Sequence, residues 1–113
     1  MSKLNDFYRG DTVTIRCLFK QNGVAKDITN SVVFFTVKKN VQDADNKAII
    51  SKKITNHTKP LEGETYIILT ASDTNNITPG QYFYDVQLVE DNNVFTVISG
   101  TVSVLADITR RVT

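Results

Sequence analysis

The sequence predicts an all-β domain in which two antiparallel sheets pack as a sandwich, with at most one short helical turn. Three observations lead there. Apolar residues recur with a period of two in several short runs, most clearly in Gly80-Gln81-Tyr82-Phe83-Tyr84-Asp85-Val86-Gln87-Leu88. Tyr82, Tyr84, Val86 and Leu88 fall on one face there, and Gln81, Asp85 and Gln87 on the other, as in a half-buried strand. Turn residues punctuate the chain about every ten positions, the rhythm of a sandwich rather than of alternating strands and helices. Finally, 113 residues of which 41% are hydrophobic can build one core without metal or disulfide staples.

The elements follow in order. Val13, Ile15, Cys17 and Phe19 alternate with Thr12, Thr14, Arg16 and Lys20, predicting a first strand. Gln21-Asn22-Gly23 is a turn, because Asn and Gly tolerate positive φ. Asp27-Ile28-Thr29-Asn30 is a polar crossing with one apolar anchor, Ile28. Ser31 to Lys39 is a second strand with Val33, Phe35 and Val37 on one face. Asn40 to Lys47 is a polar loop, and Ala48 to Thr55 a third strand with Ile50 and Ile54 inward. A loop from Asn56 ends at Pro60 and Gly63, and Glu64 to Thr70 is a fourth strand. Ala71 to Ile77 offers the one helical turn, capped by Ser72 or Asp73 and ended by Pro79-Gly80. Gln81 to Glu90 and Val94 to Leu105 form a hairpin across Asp91-Asn92-Asn93. Phe95 and Val97 are odd whereas Val102 and Val104 are even, so a β-bulge is expected at Ser99-Gly100 to reconcile the facing. About six to eight short strands in this arrangement place the chain in the immunoglobulin-like class. The expected organisation is one domain, residues 1–113, with extended termini at about 1–9 and 106–113.

Composition excludes several kinds of function. Thirteen Lys and Arg against 12 Asp and Glu leave a formal charge of +1, which recommends neither nucleic acid nor an anionic membrane as partner. Cys17 is the only cysteine, so no internal disulfide forms. No stretch approaches the roughly 18 apolar residues of a membrane span. Met1-Ser2-Lys3-Leu4-Asn5-Asp6 has no apolar signal-peptide core, and the expectation is a complete protein made in the cytosol and soluble there.

Catalytic patterns are missing too. His57 is the single histidine, set in a polar loop, and neither zinc nor a nucleophile finds partners for it. A solvated loop histidine is the favoured reading. Cys17 shares a face with Val13 and Phe19 and reads as a small buried hydrophobe. Asp43-Ala44-Asp45-Asn46 begins like a calcium loop, but the glycine and closing glutamate of an EF-hand do not follow, so a solvated hairpin loop is favoured. Arg9-Gly10-Asp11 spells the tripeptide that integrins read, yet Gly10 has a plainer role in turning the chain into the first strand. Asn56-His57-Thr58 and Asn76-Ile77-Thr78 match the glycosylation pattern and read as incidental. The expectation is a protein that is no enzyme and carries no cofactor or metal.

One feature points outward. Leu18, Val32, Phe34, Ile49, Phe83 and Val89 are apolar residues on faces opposite the core, where an isolated sandwich is mostly polar. If they cluster they form a patch for a protein partner, with Phe34 and Phe83 as its contacts.

Tyr8-Arg9-Gly10-Asp11-Thr12, Asp27-Ile28-Thr29, the stretch from Gly80 to Leu88, Ser99-Gly100-Thr101-Val102 and the terminal Asp107-Ile108-Thr109-Arg110 together resemble small immunoglobulin-like domains of tailed-bacteriophage virion proteins. The nearest type is the amino-terminal domain of upper-baseplate proteins. The resemblance runs along nearly the whole chain and rests on strand and turn residues. It implies a structural protein of tail, baseplate, neck or capsid, located in the virion, binding other virion proteins and copies of itself, as a homo-oligomer. Baseplate proteins of that type continue into a fibre where this sequence ends at Thr113, which favours an adaptor or accessory role. The ends are then the expected contacts: Leu4, Phe7 and Tyr8 at one, Ile108, Arg110, Arg111 and Val112 at the other, loose until a neighbour orders them. The alternative from another class is a carbohydrate-binding module for host-surface glycan, with Tyr66 and Phe95 as platforms. A bacterial surface adhesion domain is the third.

Overall fold

A computed structural model describes residues 4–108. The described residues form nine strands: β1 (Phe7–Tyr8), β2 (Val13–Leu18), β3 (Lys20–Gln21), β4 (Val24–Ala25), β5 (Val32–Lys38), β6 (Ile50–Ile54), β7 (Glu64–Leu69), β8 (Gly80–Glu90) and β9 (Asn93–Leu105). One short helix, α1 (Ala71–Thr74), joins β7 to β8, and 3₁₀ turns occupy Asp45–Lys47 and Pro60–Glu62. The fold is mostly β, as the sequence predicts. Its arrangement differs from two purely antiparallel sheets. Five strands form one curled, mixed half-barrel in the order β1-β9-β8-β5-β6, with β1 parallel to β9 and every other pairing antiparallel. β2 and β7 form a separate antiparallel pair, and β3 and β4 a small hairpin. A two-residue strand such as β1 carries no readable period, so its parallel pairing left no mark on the sequence.

Alternation places the core between these layers. Val33, Phe35 and Val37 of β5 stand opposite Leu88, Val86 and Tyr84 of β8, and Tyr82 stands opposite Val102 of β9. All of them are buried, as are Ile50 of β6, Cys17 of β2, and Ile67 and Leu69 of β7. Phe19, Ile28 and Ile77 complete the cluster from the connections. Each fully buried side chain of this size contributes roughly 1.5–3 kcal/mol.

Local chemistry fixes the turns. Asn22 and Gly23 adopt φ of 54° and 79° between paired Gln21 and Val24, the two-residue hairpin turn that matches the twist of its strands. Asp27 folds onto its own crossing by accepting the Thr29 backbone N–H at 2.9 Å. Helix α1 is capped by Thr70 rather than by Ser72 or Asp73. The Thr70 hydroxyl accepts the Asp73 N–H, and the Asp73 carboxylate accepts the Thr70 N–H at 2.7 Å, a reciprocal capping box. The bulge in β9 also lies elsewhere than Ser99-Gly100. Val86 faces Ile98 while Gln87 faces Thr96, so Val97 is the extra residue. The parity argument holds in kind; the insertion sits where the hairpin leaves the core.

The stretch from Leu4 to Arg9 is held against the main sheet. Phe7 is 6% exposed, opposite Val104, which makes it a core residue and removes it as a contact for another molecule. The Leu4 N–H donates to the Tyr84 hydroxyl at 2.9 Å, and the Ser103 N–H donates to the Asp6 carboxylate at 2.9 Å. Arg9 pairs with Asp107 at 2.9 Å, and Gly10 turns the chain with φ 88°. An apolar residue at the end of a chain can order against its own sheet as readily as against a neighbour.

Gly63 leaves no room for a side chain. It has φ 71°, and a Cβ there would press into the Phe19 carbonyl oxygen and lie 2.8 Å from that of Lys26. Gly23, with φ 79°, has open space around it. Gly63→Ala is expected to cost roughly 2–5 kcal/mol from left-handed strain plus overpacking, and Gly23→Ala about 1–2 kcal/mol from strain alone. Urea unfolding of the two variants checks this through their midpoints.

Candidate interaction surface

The groups with reactive potential are tied into the framework. Burial pushes the Cys17 thiol up to about 11, so it stays a neutral hydrophobe at physiological pH. His57 is half-buried rather than solvated: Nδ1 lies 2.9 Å from the Thr65 hydroxyl and Nε2 lies 2.7 Å from the Ser31 carbonyl. A carbonyl only accepts, so Nε2 carries the proton and the imidazole clasps β7 to the start of β5. Asp45 binds Lys38 at 2.7 Å and Asp43 accepts the Asn40 N–H at 3.1 Å, so the calcium-like loop closes on itself. Among the described residues, no three His, Cys, Asp or Glu side chains gather where a metal could be held. Among the same residues, no helix is long and apolar enough to cross a membrane.

The expected outward residues separate into distinct places. Phe34 and Phe83 both lie on the outer face of the main sheet, Phe34 half-buried and Phe83 38% exposed. Phe34 faces Lys53 and Gln87, whereas Phe83 faces Lys38 and Thr101. The polar row of Ser51, Thr36, Asp85 and Ser99 runs between them, so they do not form one patch. Phe34 instead adjoins a row made by Val32, Val89 and Val94. Leu18 belongs to the other sheet. Tyr8 and Ile108 are exposed, Leu4 is half-buried against the core, and Arg110, Arg111 and Val112 lie outside the described residues. Tyr66 and Phe95, the candidate glycan platforms, stand on different sheets.

The surface that stands out is the open edge of β9. β1 pairs with it only at Val104 and Leu105, and the Asp6 side chain takes the Ser103 N–H. The Leu105 carbonyl accepts from Arg9 on that same side. Backbone groups alternate sides along a strand, so those of Thr101, Ser99, Thr96 and Val94 face outward as well, the bulge at Val97 shifting the parity. Among the described residues no strand covers them. The 13 residues of β9 carry no ionisable side chain, and Val94, Phe95 and Val97 are exposed on it. The opposite edge, β6, is guarded: Lys53 faces out, and Lys52 points inward and pairs with Asp73 at 2.7 Å. Charges of that kind discourage edge pairing. The sequence carried a signal for this surface, the charge-free run from Asn93 to Leu105, but periodicity alone made it one more strand.

Comparison with models of known protein families and with curated proteins finds no match for the chain.

Asp85 sits in the polar row of the outer face, where burial raises its carboxyl above the ordinary range, with Lys38 opposing and Asp45 reinforcing that shift. A raised folded-state value means the protonated carboxyl favours the fold, and that contribution disappears as pH rises through the folded value. Asp85→Asn is therefore expected to be more stable than the parent at pH 7, with the difference closing as pH falls below the ordinary carboxylate range. Thermal melts of both proteins across pH 3–7 read this out.

Proposed function

We propose that this protein is a non-enzymatic structural component of a tailed-bacteriophage virion, an adaptor or accessory in tail, baseplate, neck or capsid that works through protein–protein contacts. The observation that carries the reading is the bare, neutral edge of β9, because such an edge offers main-chain pairing to another polypeptide and little to a small molecule. The phage assignment rests on the sequence resemblance, and its residues have structural work in this chain. Arg9 and Asp107 join the two ends, Asp27 closes the crossing before β5, and the Gly80–Leu88 run is the central strand.

The immunoglobulin-like assignment belongs to the same proposal. Its support is a set of side chains at and around β8. The Tyr82 hydroxyl donates back to the Thr78 carbonyl at the entry to β8, as a tyrosine corner does. Two positions on, Tyr84 occupies the place where immunoglobulin domains carry the second cysteine of their intersheet bridge. In the same reading Cys17 on β2 corresponds to the first, and Phe35 on β5, whose ring centroid lies 6.3 Å from that of Tyr84, corresponds to the tryptophan of those domains. On this reading β5, β8 and β9 stand for one sheet of that fold, and β2 and β7 for part of the other.

Mass spectrometry of phage particles purified from the host carrying this gene tests the function. The protein is expected in the particles at a fixed ratio to the major tail or capsid protein. Its exclusion from intact particles, together with glycan binding by the isolated domain, would transfer the assignment to a carbohydrate-binding module.

A further inference from the structure

We infer that the open edge of β9 is built to pair with β9 of a second copy, antiparallel and about a two-fold axis at the bulge. This rests on the reading of the protein as an assembly module and names its partner.

Register decides it. The outward-facing backbone groups belong to Val94, Thr96, Ser99 and Thr101, spaced by two, three and two residues because Val97 is inserted. Reversed, that spacing is unchanged. An antiparallel second copy therefore sets Val94 opposite Thr101 and Thr96 opposite Ser99, twice over, with both bulges meeting at the axis. An unrelated straight strand, spaced by two throughout, loses register at the bulge. The pairing also stops before Ser103, where Asp6 and β1 already cover the edge, so it does not collide with the amino-terminal segment.

Side chains agree with that register. On the outer face the pairs are Thr96 with Ser99 and Val94 with Thr101, short hydroxyl and β-branched residues that suit cross-strand contact. On the other face Phe95, 50% exposed, comes opposite Gly100, whose missing side chain leaves the ring a seat. Within the paired stretch itself no ionisable side chain opposes the approach, since β9 carries none. An isologous contact of this kind makes a closed dimer and joins the two main sheets into one.

Sedimentation velocity of the full chain over a concentration series tests the pairing. The parent is expected to pass from monomer to dimer. Thr96→Lys with Ser99→Lys places like charges opposite each other at both pairs, and is expected to weaken the dimer about tenfold or more while its melting curve shows a folded protein. Register is read separately by mixing Thr96→Cys and Ser99→Cys chains under mild oxidation. A mixed disulfide-linked dimer is expected in excess over either self-linked dimer, and buried Cys17 does not compete. A parent that stays monomeric throughout, a double-lysine variant that dimerises as well as the parent, or cysteine chains that link without preference each overturn the inference. Any of those results leaves the presence of the protein in virions to be decided on its own, and exclusion from virions leaves the dimer standing.

Discussion

Strand β8 has a partner along each side, β5 on one and β9 on the other, and turns Tyr82, Tyr84, Val86 and Leu88 into the core. The rest of the molecule depends on that double engagement. Its inner residues set the register of Val33, Phe35 and Val37 on one neighbour and of Val102 on the other, because a slip by one would turn every one of them to solvent. Its two tyrosines also anchor what lies beyond the sheet. Tyr82 reaches back to Thr78 and holds the corner after α1, and Tyr84 receives the Leu4 N–H and holds the amino-terminal segment in place. Once that segment is fixed, Phe7 fills the core and β1 covers the end of β9.

From this follows the contrast between the two edges. β6 ends the sheet with Lys52 and Lys53, one of them turned inward to meet Asp73 of α1. β9 ends it with hydroxyls, valines and one phenylalanine. A long neutral edge is a hazard for a solitary soluble protein and an asset for one that assembles. The bulge at Val97 has two effects at once: it lets Phe95 and Val102 share a face of the sheet, and it gives the outer edge a spacing that a reversed copy of the same strand reproduces.

Much of this was legible in the residues. Period-two alternation located β2, β5, β8 and β9 and named the core residues they carry, since burial on one face is written directly into side-chain choice; Ile67, Leu69 and Ile77 were not singled out. Asn22-Gly23 marked its hairpin, and the parity change in β9 signalled a bulge. Other features have no local signature. β1 is two residues long, and its partner lies almost a hundred positions away, so its pairing depends on tertiary contact alone. The burial of Phe7 has the same cause. The role of His57 is set by Ser31 and Thr65, which the chain brings together only after folding. Phe34 and Phe83 shared a face as expected, but the sequence could not tell that Asp85 and its polar row would stand between them. The open edge lay in plain sight as a run without charge; it became meaningful once the strand order, among the described residues, left β9 from Val94 to Thr101 uncovered.

The central claim is that β8 organises a satisfied core and leaves one neutral strand edge for another copy. Residue-resolved amide hydrogen exchange measures it most directly. At low protein concentration the Val94, Thr96, Ser99 and Thr101 amides should exchange quickly while those of Gly100 and Val102, turned toward β8, stay protected; raising the concentration should slow the four together. Four amides already slow at the lowest concentration, or equally fast at the highest, would contradict the account.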